Sequence, residues 1–408
     1  MHKTISTSHP ASLSPVTFPG GRETHLVGLF SKNEMLMKPF LTIICAALLL
    51  PLMPKAQSLP LTTSAEGGNR RASISETIGV TDVAIDYNRP HVKGRDGKIW
   101  GQLIPAGYVD QGFGTSKAAP WRAGANENTT IQFSTDVTIE GKPLPAGKYG
   151  FFVAYGPDQC TLIFSRNSTS WGSFFYDPSE DVLRVNVKPV ALDNKVEWLK
   201  YEFTNETDTT ATVALEWEKL MIPFTVGVDY VNTQLASFRR ELRSERGFTW
   251  EAWNEAAAWC VAHNTDFDEA LVWANNATDP NFGGTKTFTS WSTKAQVLRK
   301  LGRDSEADSI MKAAQPLASM AELHQYGRQL LAQKKVKEAV EVFTANYKKY
   351  PREVMTNIGL ARAYSAAGDY KTALKYVTDA QAFSPPNGAN NANLTQMAAK
   401  LKNGQDIN

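Results

Sequence analysis

Residues 121–153 read WRAGANENTTIQFSTDVTIEGKPLPAGKYGFFV. A dense polar cluster, Arg122 to Thr130, leads into two alternating segments joined by a Gly/Pro-rich connector. Tyr149, Phe151, Val153 and Tyr155 fall on every second position, which puts them on one face of an extended chain. The connector ends one strand and starts the next, because Pro fixes φ and Gly admits φ > 0.

The same period of two continues outward in both directions. Val83, Ile85 and Tyr87 alternate upstream. Downstream come Cys160, Leu162 and Phe164, then Leu183, Val185 and Val187, then Leu199, Tyr201 and Phe203, then Ala211, Val213, Leu215 and Trp217. Ile222–Val228 reads as a separate closing strand, whose Pro223 suits an edge or a strand start. Short strands with one wet face each predict an antiparallel β-sandwich or barrel over residues 72–229 rather than a parallel sheet. Residues 103–119 carry no period and read as a long loop.

Beyond Val231 alanine becomes frequent and the period moves to 3.6. Tyr326, Gly327, Leu330, Val336, Ala339, Phe343 and Pro351 recur 34 positions later as Leu360, Ala361, Tyr364, Tyr370, Ala373, Val377 and Pro385. Two weaker copies precede them, one with Ala257, Val261, Phe267 and Ala270, the other with Trp291, Leu298, Gly302 and Ala307. Alanines at 270, 307, 339 and 373 mark the series, since a small residue where two helices cross lets one hairpin stack on the next. These repeats resemble the tetratricopeptide repeat, with Gly368-Asp369-Tyr370 as its inter-helix turn and Leu394–Leu401 as a capping helix. The fold class expected is therefore multidomain: all-β, an antiparallel β-sandwich, followed by an all-α solenoid of tetratricopeptide-like hairpins over 232–404. An irregular helical bundle is the plainer alternative.

Of 408 residues, 43 are Lys or Arg and 41 are Asp or Glu. Met35–Ala56 has a Lys, an apolar run and a small-residue end, the pattern of a secretory signal cut after Ala56. Residues 1–34 lie upstream of this second start at Met35 and read as a spurious extension, so 1–56 is expected to be absent from the mature chain. The location implied is the periplasm or the exterior, with no stable membrane span once the signal is gone; an N-terminal anchor is the alternative. Residues 57–71 read as a flexible leader. Without residues 1–56, 38 basic side chains face 39 acidic ones, a balance that gives no footprint for nucleic acid. Cys160 and Cys260 are too few for a disulfide framework and read as buried small hydrophobes.

The strings RASISETIGVTDVAIDYNRPHVKGR, WRAGANENTTIQFSTDV, GKPLPAGKYGFF, STSWG, YDPSEDVLRVNVKPV and TATVALEWEKLMIPF resemble the DUF2911 family of secreted, Bacteroidetes-type proteins. The resemblance implies a relative without supplying a mechanism. The chain departs from the family's pattern at Ala106–Ala119, where a usually short link is expanded beside the polar cluster.

Chemistry-bearing motifs are few. After residue 56 the histidines are His91, His263 and His324, with no HExxH, CxxC, GxSxG, GxGxxG or P-loop, so no metal or cofactor is expected. A Ser-His-Asp triad within the β region would have to use His91. Glu127 with Asp177, Glu180 or Asp181 could supply paired carboxylates for glycoside hydrolysis. The candidate ligand-binding residues are Arg89, His91, Arg122, Asn126, Glu127 and Trp171. Arg offers a fork for carboxylates, and Asn and Glu offer directional donors and acceptors. Against this stands a structural reading: Asn and Thr satisfy a turn, and Arg122 pairs with Glu127. Trp100, Trp121 and Trp171 with Phe174, Phe175 and Tyr176 are either core or a sugar-stacking platform.

The leading expectation is a secreted, non-catalytic protein whose helical repeats bind a protein or peptide. The alternative is a small-ligand or glycan site in the sandwich, binding more than hydrolytic, around Arg122, Asn126 and Glu127.

Overall fold

Ten strands precede ten helices. The computed structural model describes residues 68–385, 388 and 390–408. The signal, the residues before it and most of the leader lie outside the described residues.

The strands are β1 (Arg70–Ile78), β2 (Thr81–Arg89), β3 (Thr130–Phe133), β4 (Val137–Ile139), β5 (Lys142–Leu144), β6 (Gly147–Ala154), β7 (Cys160–Ser165), β8 (Asp181–Val187), β9 (Val190–Thr204) and β10 (Thr210–Val228). β1 begins at Arg70, so the last two residues of the stretch read as leader are already in a ladder with Arg89 and Asn88. One sheet has the order β1-β2-β3-β6-β7-β8 and the other β5-β4-β10-β9. All of their pairings are antiparallel, and neither sheet closes into a barrel among the described residues.

Tight turns set the registers. At the β4–β5 turn, Glu140 (φ +49°) and Gly141 (φ +75°) supply the two positive φ values whose twist matches that of the flanking strands. The inward sets of both sheets meet in one core: Phe151 lies 5.6 Å from Phe224 and 6.3 Å from Tyr201, ring centre to ring centre. Phe152 points the other way, into a small cluster with Ile163 and Tyr176. That is why the run GFFV is apolar throughout rather than alternating.

Ile222–Val228 is not a separate strand, as the sequence suggests, but the second half of the 19-residue β10. β10 pairs with β9 as far as Met221 and with β4 from Val226 onward. Pro223 falls between the two ladders, where a missing N–H breaks no rung.

The helices are α1 (Tyr230–Glu241), α2 (Trp250–His263), α3 (Phe267–Asn276), α4 (Phe288–Lys300), α5 (Asp304–Ala314), α6 (Met320–Ala332), α7 (Val336–Lys349), α8 (Val354–Ala366), α9 (Tyr370–Phe383) and α10 (Asn391–Lys402). Asp229 closes β10 and caps α1, accepting from Asn232 N at 3.2 Å. Tyr230 then packs on Gly79, where a Cβ would sit 2.8 Å from its ring. Sheets and helices belong to one compact unit, residues 65–408.

α2–α3, α4–α5, α6–α7 and α8–α9 form four hairpins in register. Ala270, Ala307, Ala339 and Ala373 are each the fourth residue of a hairpin's second helix, and none has any exposed surface. Phe343 of α7 lies between two glycines: a Cβ on Gly327 of α6 or Gly359 of α8 would come within 2.5 Å or 2.3 Å of its ring. Asn264, Gly302, Lys334 and Gly368 all take φ between +53° and +80° and end the first helix of each hairpin. Asp369 then accepts from Thr372 N at 3.0 Å and starts α9. Leu394, Met397 and Leu401 of α10 cover the last hairpin.

Candidate functional site

The corner between the Trp121 bridge and β3 is held by its own backbone. Ala123 is fully buried at φ +52°, and both Thr129 Oγ1 and Tyr201 Oη donate to its carbonyl, at 3.0 and 2.8 Å. Trp121 exchanges both main-chain bonds with Val153, which fastens the corner to β6. Asn126 takes φ +56° and accepts from Asn69 Nδ2 at 3.1 Å. The polar cluster is thus first a folded turn.

Arg122 and Glu127 do not pair with each other. Glu127 Oε2 accepts from Asn88 Nδ2 at 2.7 Å, whereas Arg122 Nη1 donates to Asn126 O at 2.8 Å. The Arg122 guanidinium lies 5.3 Å from the Trp171 ring centre and 5.4 Å from that of Phe174. Gly172, at φ +72°, brings its backbone against the same group; a Cβ there would be 2.9 Å from Arg122 Cζ. Burial alone pulls the Arg122 pKa below its ordinary value. No carboxylate among the described residues compensates that desolvation, which leaves a half-buried cation in want of an anion.

Arg122 faces a cleft of about 620 Å³. Its wall also contains His91, Asn126, Lys93, Arg95, Asn69, Trp121 and Ser173, and residues 103–111 with Ala119 close one side. The expanded segment Ala106–Ala119 therefore forms the flank of the cleft, tied down by the Val109–Ala119 bridge and by Ser116 N donating to Phe174 O at 2.9 Å. Lys93, Arg95, Arg122 and His91 contribute the ionisable side chains of the wall, and no Asp or Glu does.

Of the six residues singled out from the sequence, His91, Arg122 and Asn126 line the cleft; Arg89, Glu127 and Trp171 do not. Arg89 Nε donates to Leu199 O at 2.7 Å, tying β2 to β9. Trp171 is 59% exposed and stacks on Phe174 beside Phe113 and Phe175, also exposed. Trp100 and Trp121 instead pack around Trp217 at the edge of the core. The aromatic set thus splits between core and rim. His91 stacks flat on Trp198 at 4.5 Å. Ser173, the one hydroxyl of the wall, accepts from Gln111 Nε2 at 2.9 Å and has no bond to His91.

The carboxylates considered for hydrolysis have local duties. Asp177 caps a short turn by accepting from Ser179 N. Asp181 accepts from Tyr176 Oη at 2.7 Å and from Arg184 Nε at 2.6 Å. The Asp181 carboxylate and burial together push the Tyr176 pKa upward. Cys160 and Cys260 are buried free thiols, and burial pushes Cys260 up to about 11. Among the described residues no group of three His, Cys, Asp or Glu could hold a metal, and no helix is long and apolar enough to cross a membrane.

Lys93 and Arg95 were missed as site residues, although they stand two and four positions after His91 in one of the quoted strings. A second basic set was also missed: Arg328 and Arg362 are 34 residues apart, on the same face of α6 and α8.

Fold and site define the class: a domain of two antiparallel sheets with a basic cleft, joined to an array of helical hairpins. Residues 69–226 belong to the family described as "Protein of unknown function (DUF2911)". No curated protein matches the sequence. Among solved structures, the array is similar to the APC/C hetero-tetramer Cut9–Hcn1 (15% identity, TM-score 0.28, 42% of this chain and 33% of that one). It is similar also to the C-terminal part of a TPR repeat-containing protein from Cytophaga hutchinsonii (15%, 0.32, 42% and 66%). A third is YrrB, titled a TPR protein with an unusual peptide-binding site (18%, 0.28, 42% and 84%). The chain spans about a third of the first of these and 66% of the second. Scores this low carry no functional argument.

Proposed function

We propose that the protein is a secreted binding protein of the periplasm or cell exterior, with two working parts. The first is an antiparallel β-sandwich of the DUF2911 type that takes a small carboxylate-bearing ligand, free or as an acidic sugar, in the cleft beside Arg122. The second is a tetratricopeptide-like solenoid that serves as a scaffold for a protein partner.

One observation carries the first part: the cleft wall holds Lys93, Arg95 and Arg122 and no carboxylate. An anion there recovers the desolvation already imposed on Arg122, and the planar guanidinium offers it two parallel donors. The rim aromatics Trp171 and Phe175 stand ready to stack on a sugar face. Binding fits better than turnover, because the single wall hydroxyl and the single wall imidazole do not meet.

Thermal unfolding in the presence of uronates, small dicarboxylates and their neutral amides tests this part. Carboxylates should raise Tm with dose while the matched amides do not, and Arg122→Ala should remove the rise. Equal response to acid and amide, or none to either, would refute it. For the scaffold, the supporting observation is the four-hairpin register with its buried alanines; capture of a defined partner by the intact chain is the test.

A further inference from the structure

The chain does not leave the array after α10. It turns at Gly404 (φ +67°), and Asp406–Asn408 run back against α8. Ser365 Oγ donates to Asp406 Oδ1 at 2.6 Å and accepts from Ile407 N at 3.1 Å. Arg362 Nη1 donates to Ile407 O at 3.0 Å, and Asn408 Nδ2 donates to Arg362 O at 3.0 Å. Ile407 is 6% exposed and joins the apolar cluster of α8, α9 and α10.

Three features make this a recognition arrangement. Arg362 and Ser365 grip the main-chain N–H and C=O of residue 407, which holds an extended chain whatever its side chains. Asp406 and Ile407 then add a charge contact and an apolar anchor. The groove also outruns its occupant: a cavity of about 390 Å³ continues along α6, lined by Arg328, Leu331 and Lys334, with Asp406 as its single carboxylate. Arg328 and Arg362 occupy the same repeat position, so positive charge follows the groove from one hairpin to the next.

We propose that this face of α6 and α8 binds an extended acidic–aliphatic segment of a partner protein, and that Asp406–Asn408 is its resident occupant, displaced when the partner arrives. The proposal rests on the scaffold reading and names the segment that the scaffold takes.

The test uses the full chain and an acetylated, amidated fluorescent peptide of sequence GQDIN, followed by anisotropy. In a chain carrying Asp406→Ala and Ile407→Ser the groove is free, and the peptide should bind roughly tenfold or more tightly than to the wild type, whose site is filled. Adding Arg362→Ala to that chain should abolish binding, and an Asp→Asn peptide should bind several-fold more weakly. Absence of saturable binding to a released chain that retains its helical circular dichroism overturns the proposal, as does binding indifferent to Arg362→Ala. If the released chain does not fold, wild-type protein answers instead: excess peptide should shift the Ile407 amide resonance, and an unmoved resonance refutes the displacement. A partner protein that binds the wild-type and Arg362→Ala chains equally would overturn the groove while leaving the scaffold reading in place.

Discussion

Asn88 donates its side-chain amide to the Glu127 carboxylate at 2.7 Å, and this bond separates Glu127 from Arg122. The two most conspicuous charges of the polar cluster therefore do different jobs. Glu127 fastens the corner to β2, and Arg122 is left to the cleft.

Substitutions should separate these jobs. Glu127→Ala should cost about 1–3 kcal/mol of stability by orphaning Asn88, with carboxylate affinity changed less than about threefold. Arg122→Lys should keep the fold and weaken carboxylate binding by roughly tenfold or more, since a point charge cannot replace the fork. Urea unfolding and calorimetric titration measure the pair, and added salt should weaken the ligand further.

Gly172→Ala tests the cradle behind Arg122. A side chain there meets both a left-handed backbone (φ +72°) and the guanidinium at 2.9 Å. A loss of about 1–2 kcal/mol in urea is expected, with a fall in carboxylate affinity from the displaced Arg122.

Phe343 between Gly327 and Gly359 is the closest packing in the helical array. Gly359→Ala should destabilise by about 1–3 kcal/mol through overpacking. Phe343→Leu should restore part of that loss, so a double-mutant cycle should show coupling of at least about 0.5 kcal/mol.

Lys334 holds φ +61° where Gly302 and Gly368 stand in the neighbouring hairpins. Lys334→Gly should raise stability by about 0.5–1 kcal/mol, the left-handed strain removed outweighing the extra freedom of the unfolded chain. Chemical denaturation midpoints decide it.

His324 titrates below its ordinary value of 6.5, first because it is buried and then because Arg328 and Arg362 face it; Phe343 covers its ring 5.5 Å away. The unfolded chain takes up a proton as pH falls through 6.5, and the folded chain does so only at lower pH. His324 thus contributes full stability above about pH 6.5, and that contribution is lost as pH drops below it. The Tm of His324→Gln should fall less between pH 7 and pH 5 than that of the wild type.

The sequence by itself determined the periodicities and hence the elements. Period two gave the strand sets of β2, β6, β7 and β8, and the 34-residue recurrence placed Ala339 and Ala373 at equivalent helix positions, because side-chain spacing is a local property of strand and helix. It also carried the family strings of residues 69–226. Only the tertiary structure decided what the polar residues do. The partner of a side chain depends on contacts far apart in sequence: Asn88 reaches Glu127 across 39 positions, Arg362 reaches Ile407 across 45, and Pro223 sits harmlessly in β10 because β9 and β4 meet at that point. Lys93 and Arg95 became site residues for the same reason, since residues 103–119 fold over to enclose them with Arg122. Periodicity fixes which face a residue occupies, but the opposing face comes from another part of the chain.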